Sequence, residues 1–482
     1  MTALTEPALF HPDNRRLIAG VCVALVGLMA VPMLWSVEYA LLIAPTLVVG
    51  CLILFSVPRT LVAGAVVTIL LPAPYYIQIH FPLDFRLAEA CLIAAALFAV
   101  VEITYRNGWK LKRSAVDGAV AVFVLTAIVS AGVGYYYGNE TSLILRNLRF
   151  PLYYCVFFLI TQSIDSPATA ARNFNVLAVL TGIAISITFI LEFVELIDLS
   201  GLEGEDSFRV ARRQGIMLPI VLLLAANQFL HDPRRYGRLL PALVFMGTGL
   251  GLALTLARGM AIATVLGLTV AVWLRYREQY RAWRSLLLVV VALSLLMGTT
   301  LAFQRLTGAA LTAHAAERSG AFVDYQRNIA LVSRLLAYSE ALEAIQERPF
   351  LGSGQGTTVM TFSFDVETKQ FERWVSWTLD SLYLTLWMKM GLLGLIAFLY
   401  LCGKVAFLGF RALKHAEDPR VKVFASSSVS ILVTFLVLGV SDGTMINGRF
   451  ALLFGMLFAS VAVVARAIEP QRPALAGGQD HG

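Results

Sequence analysis

Residues 380–401 read DSLYLTLWMKMGLLGLIAFLYL, an apolar run of 22 residues broken only by Asp380 at its start and Lys389 inside it. At about 1.5 Å of rise per residue such a run spans the roughly 30 Å hydrocarbon core of a bilayer. Similar runs recur along nearly all of the 482 residues. The chain is 58% hydrophobic and only 14% charged, and its mean hydropathy is +0.74. A soluble chain carries nearer a quarter charged residues, so this is an integral membrane protein.

Working outward, about fourteen spans are expected: roughly 17–34, 39–56, 60–77, 87–104, 115–134, 148–164, 174–194, 216–230, 239–256, 259–274, 285–303, 380–401, 422–440 and 450–466. The whole chain, 1–482, reads as one all-α polytopic bundle. Its connections alternate consistently when both termini are placed in the cytoplasm. Lys110, Lys112, Arg113, Arg234, Arg235, Arg275, Arg411, Lys414 and Lys422 then fall inside, as the positive-inside rule requires. Between 239 and 274 only Ala257-Arg258-Gly259 interrupts the apolar sequence. One helix there would be about 54 Å long, so a turn is expected, with Arg258 at the outer interface. Arg15-Arg16 precede an apolar run without a convincing cleavage site, which reads as an uncleaved first helix.

The same bookkeeping puts a loop of about 75 residues, Arg305–Thr378 (304–379 as a segment), on the non-cytoplasmic face. A loop of that length is uncommon unless functional or disordered. Within it Asn328–Glu347 reads as an amphipathic helix, with Ile329, Val332, Leu335, Leu336, Leu342 and Ile345 on one apolar face. Arg348-Pro349 ends that helix, and Gly352, Gly354 and Gly356 form a turn-rich exit.

The loop holds six arginines and one lysine. The outer face as a whole is assigned fourteen arginines and Lys369 as its one lysine. Arginine forks suit phosphate oxygens bidentately. The inner loops are also arginine-rich, so position carries more weight than residue type. Arg209, Arg212 and Arg213 stand before a span, where a helix dipole favours an anion; a solvated loop with local ion pairs is the bland alternative. Arg258 is equally readable as an interfacial anchor. Asp380 is a candidate general base for a sugar hydroxyl, but a helix cap reading ranks ahead of it. Lys389, about 13 Å deeper, is an intramembrane ion and so a functional candidate by default, with a structural partner an equal reading.

Several classes are excluded. The five cysteines lie in or at the ends of apolar runs, with no disulfide or zinc spacing. No P-loop or metal-binding carboxylate pair is present, and His80 and His314 lack companions. The three-glycine turn follows no strand of a βαβ unit and is no nucleotide fingerprint. The net charge of +7 is punctuation between spans and does not imply nucleic acid.

The ordered motifs resemble the bacterial O-antigen ligase and polymerase superfamily, whose members share the Wzy C-terminal region. Four stretches carry the likeness over roughly residues 205–400. They are Arg212-Arg213-Gln214-Gly215; Leu256-Ala257-Arg258-Gly259; Arg334 through Arg348-Pro349-Phe350-Leu351-Gly352-Ser353-Gly354; and Asp380-Ser381-Leu382-Tyr383-Leu384 with Gly391-Leu392-Leu393-Gly394. The resemblance implies a GT-C-like bundle in the bacterial inner membrane, active at the periplasmic face. It implies glycan transfer from an undecaprenyl-pyrophosphate-linked oligosaccharide to a growing glycan acceptor, without cofactor or metal. Membrane lipid and chain-length regulator or export proteins are the expected partners. Arg212 or Arg213, Arg258 and Arg334 would hold the pyrophosphate, with Arg209, Arg348 and Lys389 as further possibilities. Ligases of lipopolysaccharide usually carry a histidine where Asp380 stands, and the family often has an acidic residue where Lys389 stands. The missing histidine counts against a lipid A-core ligase and favours a polysaccharide polymerase, with a ligase or protein O-oligosaccharyltransferase of the same superfamily as the closest rival. A flippase or secondary transporter for the same lipid-linked glycan is the rival from another class, for which interrupted helices or repeat symmetry near mid-membrane would be the sign.

Overall fold

Small residues and hydroxyls explain why the helices pack as they do. In a computed structural model, the chain is described over residues 111–176, 178–179, 215–231, 239–255, 257–276, 329–365, 370–446 and 448–468. The expected spans before 111, most of 174–194, and 285–303 lie outside these residues, as do both termini. The helices are α1 (Asp117–Tyr136), α2 (Thr141–Leu152), α3 (Val156–Ser163), α4 (Met217–His231), α5 (Leu239–Leu254) and α6 (Arg258–Tyr276). They continue with α7 (Ile329–Glu347), α8 (Leu382–His415), α9 (Pro419–Leu438) and α10 (Gly448–Ile468). One antiparallel hairpin, β1 (Val359–Asp365) and β2 (Gln370–Ser376), pairs Val359 with Ser376 through Asp365 with Gln370. All belong to the unit that holds Arg113–Gly482.

Six helical segments among the described residues are long and apolar enough to cross a membrane. Two more, α4 and Pro241–Ala253, are apolar but shorter. The expected turn between 239 and 274 is present, since α5 ends at Leu254 and α6 starts at Arg258. The expected span 148–164 begins earlier. Thr141–Ser163 forms one apolar segment with a 3-10 turn, Tyr153–Cys155, between α2 and α3. Pro151 lacks the N–H that a regular helix would use there, which accounts for the change of winding.

Helix α9 lies at the centre and is buried along most of its length. Asp418 caps it by accepting from Arg420 N at 2.8 Å, and Pro419 occupies the first turn. Ser427, Ser428, Ser430 and Thr434 each donate to the carbonyl four residues back, which hides their hydroxyls in the helix surface. Ser426 instead donates to Asn227 Oδ1 of α4 at 2.6 Å. Such small residues allow close helix approach, which replaces the hydrophobic drive that lipid does not supply. Around α9 and α10 the aromatic rings of Phe123, Tyr154, Phe398, Phe435, Phe454 and Phe458 interlock, mostly edge to face or tilted. The Tyr154 hydroxyl meets its need by donating to Met445 O at 2.9 Å.

The contacts also fix which ends lie together. Leu382 N donates to Gly439 O at 2.8 Å, so α8 begins where α9 ends. A Cβ on Gly259 would lie 3.0 Å from Ser441 Oγ, so α6 begins there too. Gly134, near the end of α1, touches Gln355 of the long segment that follows α7. At the opposite end Arg466 donates to Thr161 O and Ile164 O and pairs with Asp165, while Arg275 donates to Leu230 O. The described membrane-spanning helices therefore alternate in direction, and residues 329–365 and 370–381 sit over one end of the bundle.

Candidate active site

The segment between α7 and α8 is a built structure. Arg348 N and Gly352 N continue the winding after α7 by donating to Ala344 O and Arg348 O. Residues 359–365 and 370–376 then pair as the hairpin, in a stretch expected to be loop. Ala337, Ala341 and Ile345 of α7 pack with Val359, Leu379 and Met388. The expected apolar face is thereby corrected. Val332, Leu335, Leu336 and Leu342 point away and are exposed, while the alanine stripe with Ile345 faces the protein. Periodicity picked out the largest side chains, but the closest packing is made by the smallest.

Helix α8 runs 34 residues, past the expected end at 401, and is broken at Gly391, where φ is 68° and ψ is −174°. The break frees backbone groups that a membrane interior cannot solvate. The glycine-rich exit of α7 supplies their partners. Ser353 N donates to Met388 O at 2.8 Å and Gly354 N to Lys389 O at 3.1 Å. Leu392 N donates to Pro349 O at 2.9 Å and Leu393 N to Phe350 O at 3.4 Å. Ser130 of α1 adds its hydroxyl to Lys389 O at 2.7 Å and accepts at its own carbonyl from Gln355 N at 3.0 Å. Asn139 holds the far side by donating to Ser353 O and Gln355 O. Residues 349–356 thus plug the interrupted helix.

Two residues past the buried Leu379, Ser381 caps α8 by accepting from Leu384 N at a long 3.5 Å. The cap reading of Asp380 is corrected by this. Its carboxylate instead accepts from Arg334 Nε of α7 at 2.5 Å. Arg334 and Asp380 keep 36% and 49% of their side-chain surface exposed. An exposed pair of this kind contributes only about 0.2–1 kcal/mol, so it opens at small cost. Tyr338, one turn along from Arg334, lies beside both. Burial, then Asp380, holds its phenol above the usual range against the opposing pull of Arg334, and Asp442 adds to the rise. It therefore stays protonated across the working pH range.

Asp442 is a carboxylate that the sequence reading passed over, because Ser441-Asp442-Gly443 looks like an ordinary turn. It accepts from Thr444 Oγ1, and Gly443 packs against Leu379 O. The fold therefore brings Arg334, Tyr338, Asp380 and Asp442 together at the start of α8, with the first residue of α6, Arg258, at the same end. Arg348 is not in this group; its guanidinium lies over Tyr137 at 3.7 Å. Lys389 is buried and reaches Trp377 O with its Nζ at 2.5 Å, fastening the hairpin exit to α8. Arg209, Arg212 and Arg213 lie outside the described residues. Among the described residues no cluster of three or more His, Cys, Asp or Glu side chains could hold a metal ion.

These features define a multi-pass helical membrane protein with an arginine–carboxylate pair at the mouth of a plugged helix. Residues 241–399 match the family model of the Wzy C-terminal region, described as O-antigen ligase, the superfamily its motifs resemble. The match takes in Arg258, Arg334, Asp380 and Lys389 and leaves out Arg212, Arg213 and Asp442. It supports an enzyme of the membrane glycosyltransferase type. No curated protein matches the chain.

Proposed function

We propose that the chain is a polysaccharide polymerase of the bacterial inner membrane, transferring glycan from undecaprenyl-pyrophosphate-linked repeat units to a growing chain at the periplasmic face. The observation that carries this reading is the pairing of Arg334 with Asp380 across 46 residues. Arginine answers a pyrophosphate, and a carboxylate answers an acceptor hydroxyl. Donor pyrophosphate competing for Arg334 releases Asp380 in the same act. The acceptor hydroxyl then gives its proton to Asp380 and its oxygen bonds the donor's anomeric carbon. The bond from that carbon to the pyrophosphate oxygen breaks, and the leaving charge stays on the lipid pyrophosphate. Arg334, with Arg258 and Arg212 or Arg213, stabilises that charge, which is commonly the largest catalytic effect.

The interrupted helix α8 is the feature a flippase would share. Its freed backbone groups, however, are bonded by residues 349–356 and have little left to offer a cargo. Incubating purified protein with a lipid-linked repeat unit should yield a ladder of products. One transfer to a separate acceptor would make it a ligase, and no transfer at all would end the enzyme reading. Single cysteines placed at 340–378 should react with an impermeant thiol reagent added from the periplasmic side. Labelling from the cytoplasmic side alone would overturn the proposed face.

A further inference from the structure

Residues 377–381 join the hairpin to α8 and carry Asp380, and helices on two sides hold them. On the α7 side Leu379 is buried with Ala337 and Ala341, and Arg334 reaches Asp380. On the α2 side the indole of Trp377 stacks on Phe150, with ring centres 5.5 Å apart and planes at 28°. The Trp377 carbonyl accepts from the buried Lys389 at 2.5 Å, so ring and main chain are both fixed. Arg146 stands one turn before Phe150 on α2, and its guanidinium carbon lies 4.8 Å from the centre of the same indole. Unlike Phe150 and Lys389, Arg146 is exposed.

A long basic side chain at a membrane edge ordinarily stretches out to water. Arg146 lies instead along the ring of a fixed tryptophan. That attraction acts through the ring quadrupole and uses none of the five N–H donors of the guanidinium. Among the described residues no carboxylate pairs with Arg146, whereas Arg334 and Arg466 each have one. The result is a planar fork held in place with its donors unspent. A phosphate or carboxylate takes two such N–H bonds at once. Trp377 is three residues from Asp380, at most about 10 Å of extended chain. A lipid-linked oligosaccharide seated at Asp380 is long enough to reach the fork.

We propose that Arg146 is a substrate-binding arginine of this site, taking an oxyanion of the lipid-linked glycan: its pyrophosphate or a carboxylate on one of its sugars. Arg334 comes to residues 377–381 from α7 and Arg146 from α2. The Trp377 indole orients the fork, and Phe150 and Lys389 hold Trp377. This rests on the glycan-transfer reading, and it adds a charged contact by which that site takes hold of its substrate.

Isothermal titration of the full chain in neutral detergent tests it without turnover. The probes are geranyl pyrophosphate, tetragalacturonate and dioctanoyl phosphatidylglycerol, standing for the lipid pyrophosphate, an acidic glycan and a membrane headgroup. One of the first two should bind, and Arg146→Gln should weaken it about tenfold or more, the effect of losing a charged hydrogen bond. The probe that loses affinity identifies the oxyanion. Arg146→Lys keeps the charge without the planar fork and should still lose part of the affinity, which serves if the glutamine variant does not fold. Trp377→Leu keeps the arginine, removes its platform and should weaken the same probe by a smaller factor. Three results overturn the proposal: a wild-type chain that binds neither of the first two probes, undiminished binding by the Arg146 variants, or a loss confined to phosphatidylglycerol. The last would make Arg146 a membrane anchor. Product ladders formed by Arg146→Gln at the wild-type rate and KM would sink this role and leave the polymerase standing. Probe binding that depends on Arg146, in a protein that transfers nothing, would do the reverse.

Discussion

Asp380→Asn is expected to abolish polymer while leaving the amount of folded protein unchanged. Asparagine keeps an oxygen for Arg334 but cannot take a proton. General-base catalysis typically accounts for about 10²–10⁴-fold in rate, and that is the loss expected. Stability should hardly move, because the pair is half exposed and contributes about 1 kcal/mol at most. Arg334→Ala should cost a comparable factor of about 10²–10³ through the leaving group. The double variant should be little worse than either alone, since the two residues act on one step. Asp380→His provides a readout that a purely structural role would not move. It should restore part of the activity and shift the acidic limb of the pH–rate profile up toward about 6.5, a histidine's ordinary value. Normal chain length in Asp380→Asn would remove this residue from the chemistry. Asp442→Asn, measured alongside, would then show whether the neighbouring carboxylate holds the role.

The apolar runs and the basic punctuation between them were enough to read a helical membrane bundle, the turn before Arg258 and the alternation of the later helices. The contact between Arg334 and Asp380 was legible only as two separate candidates. Nothing local in Ala-Tyr-Ser-Glu around 337–340 or in Thr-Leu-Asp-Ser around 378–381 says that Arg334 reaches Asp380. That contact exists because Ala337 and Ala341 let α7 settle on Leu379 and Met388. The hairpin was missed although Val359-Met360-Thr361-Phe362-Ser363-Phe364 alternates with period two, because it lay in a segment already read as loop. Arg348 was grouped by type with the other arginines, and only the position of Tyr137 assigns it elsewhere.

The glycines of the plug should be the least replaceable residues in the chain. Gly391 has φ of 68°, and a Cβ there would lie 2.0 Å from Phe350 O. A Cβ on Gly354, at φ of 86°, would lie 2.2 Å from Gly134 N, and one on Gly352 2.6 Å from Gly391 N. These neighbours are backbone atoms and cannot swing aside as a side-chain tip can. The left-handed conformation alone costs a non-glycine residue about 1–2 kcal/mol. Displacing residues 349–356 adds far more, because Met388 O and Lys389 O would lose the N–H groups that satisfy them. Each unsatisfied backbone group within a bilayer costs several kcal/mol. Gly391→Ala and Gly354→Ala should therefore give no monodisperse protein on size exclusion. Gly138→Ala separates the two effects: φ there is 76°, but nothing lies within 4 Å of the added Cβ. It should fold, destabilised by only about 1–2 kcal/mol. Equal behaviour of Gly138→Ala and Gly391→Ala would mean that backbone conformation alone sets the cost. The broken helix would then have to satisfy its freed carbonyls in some other way.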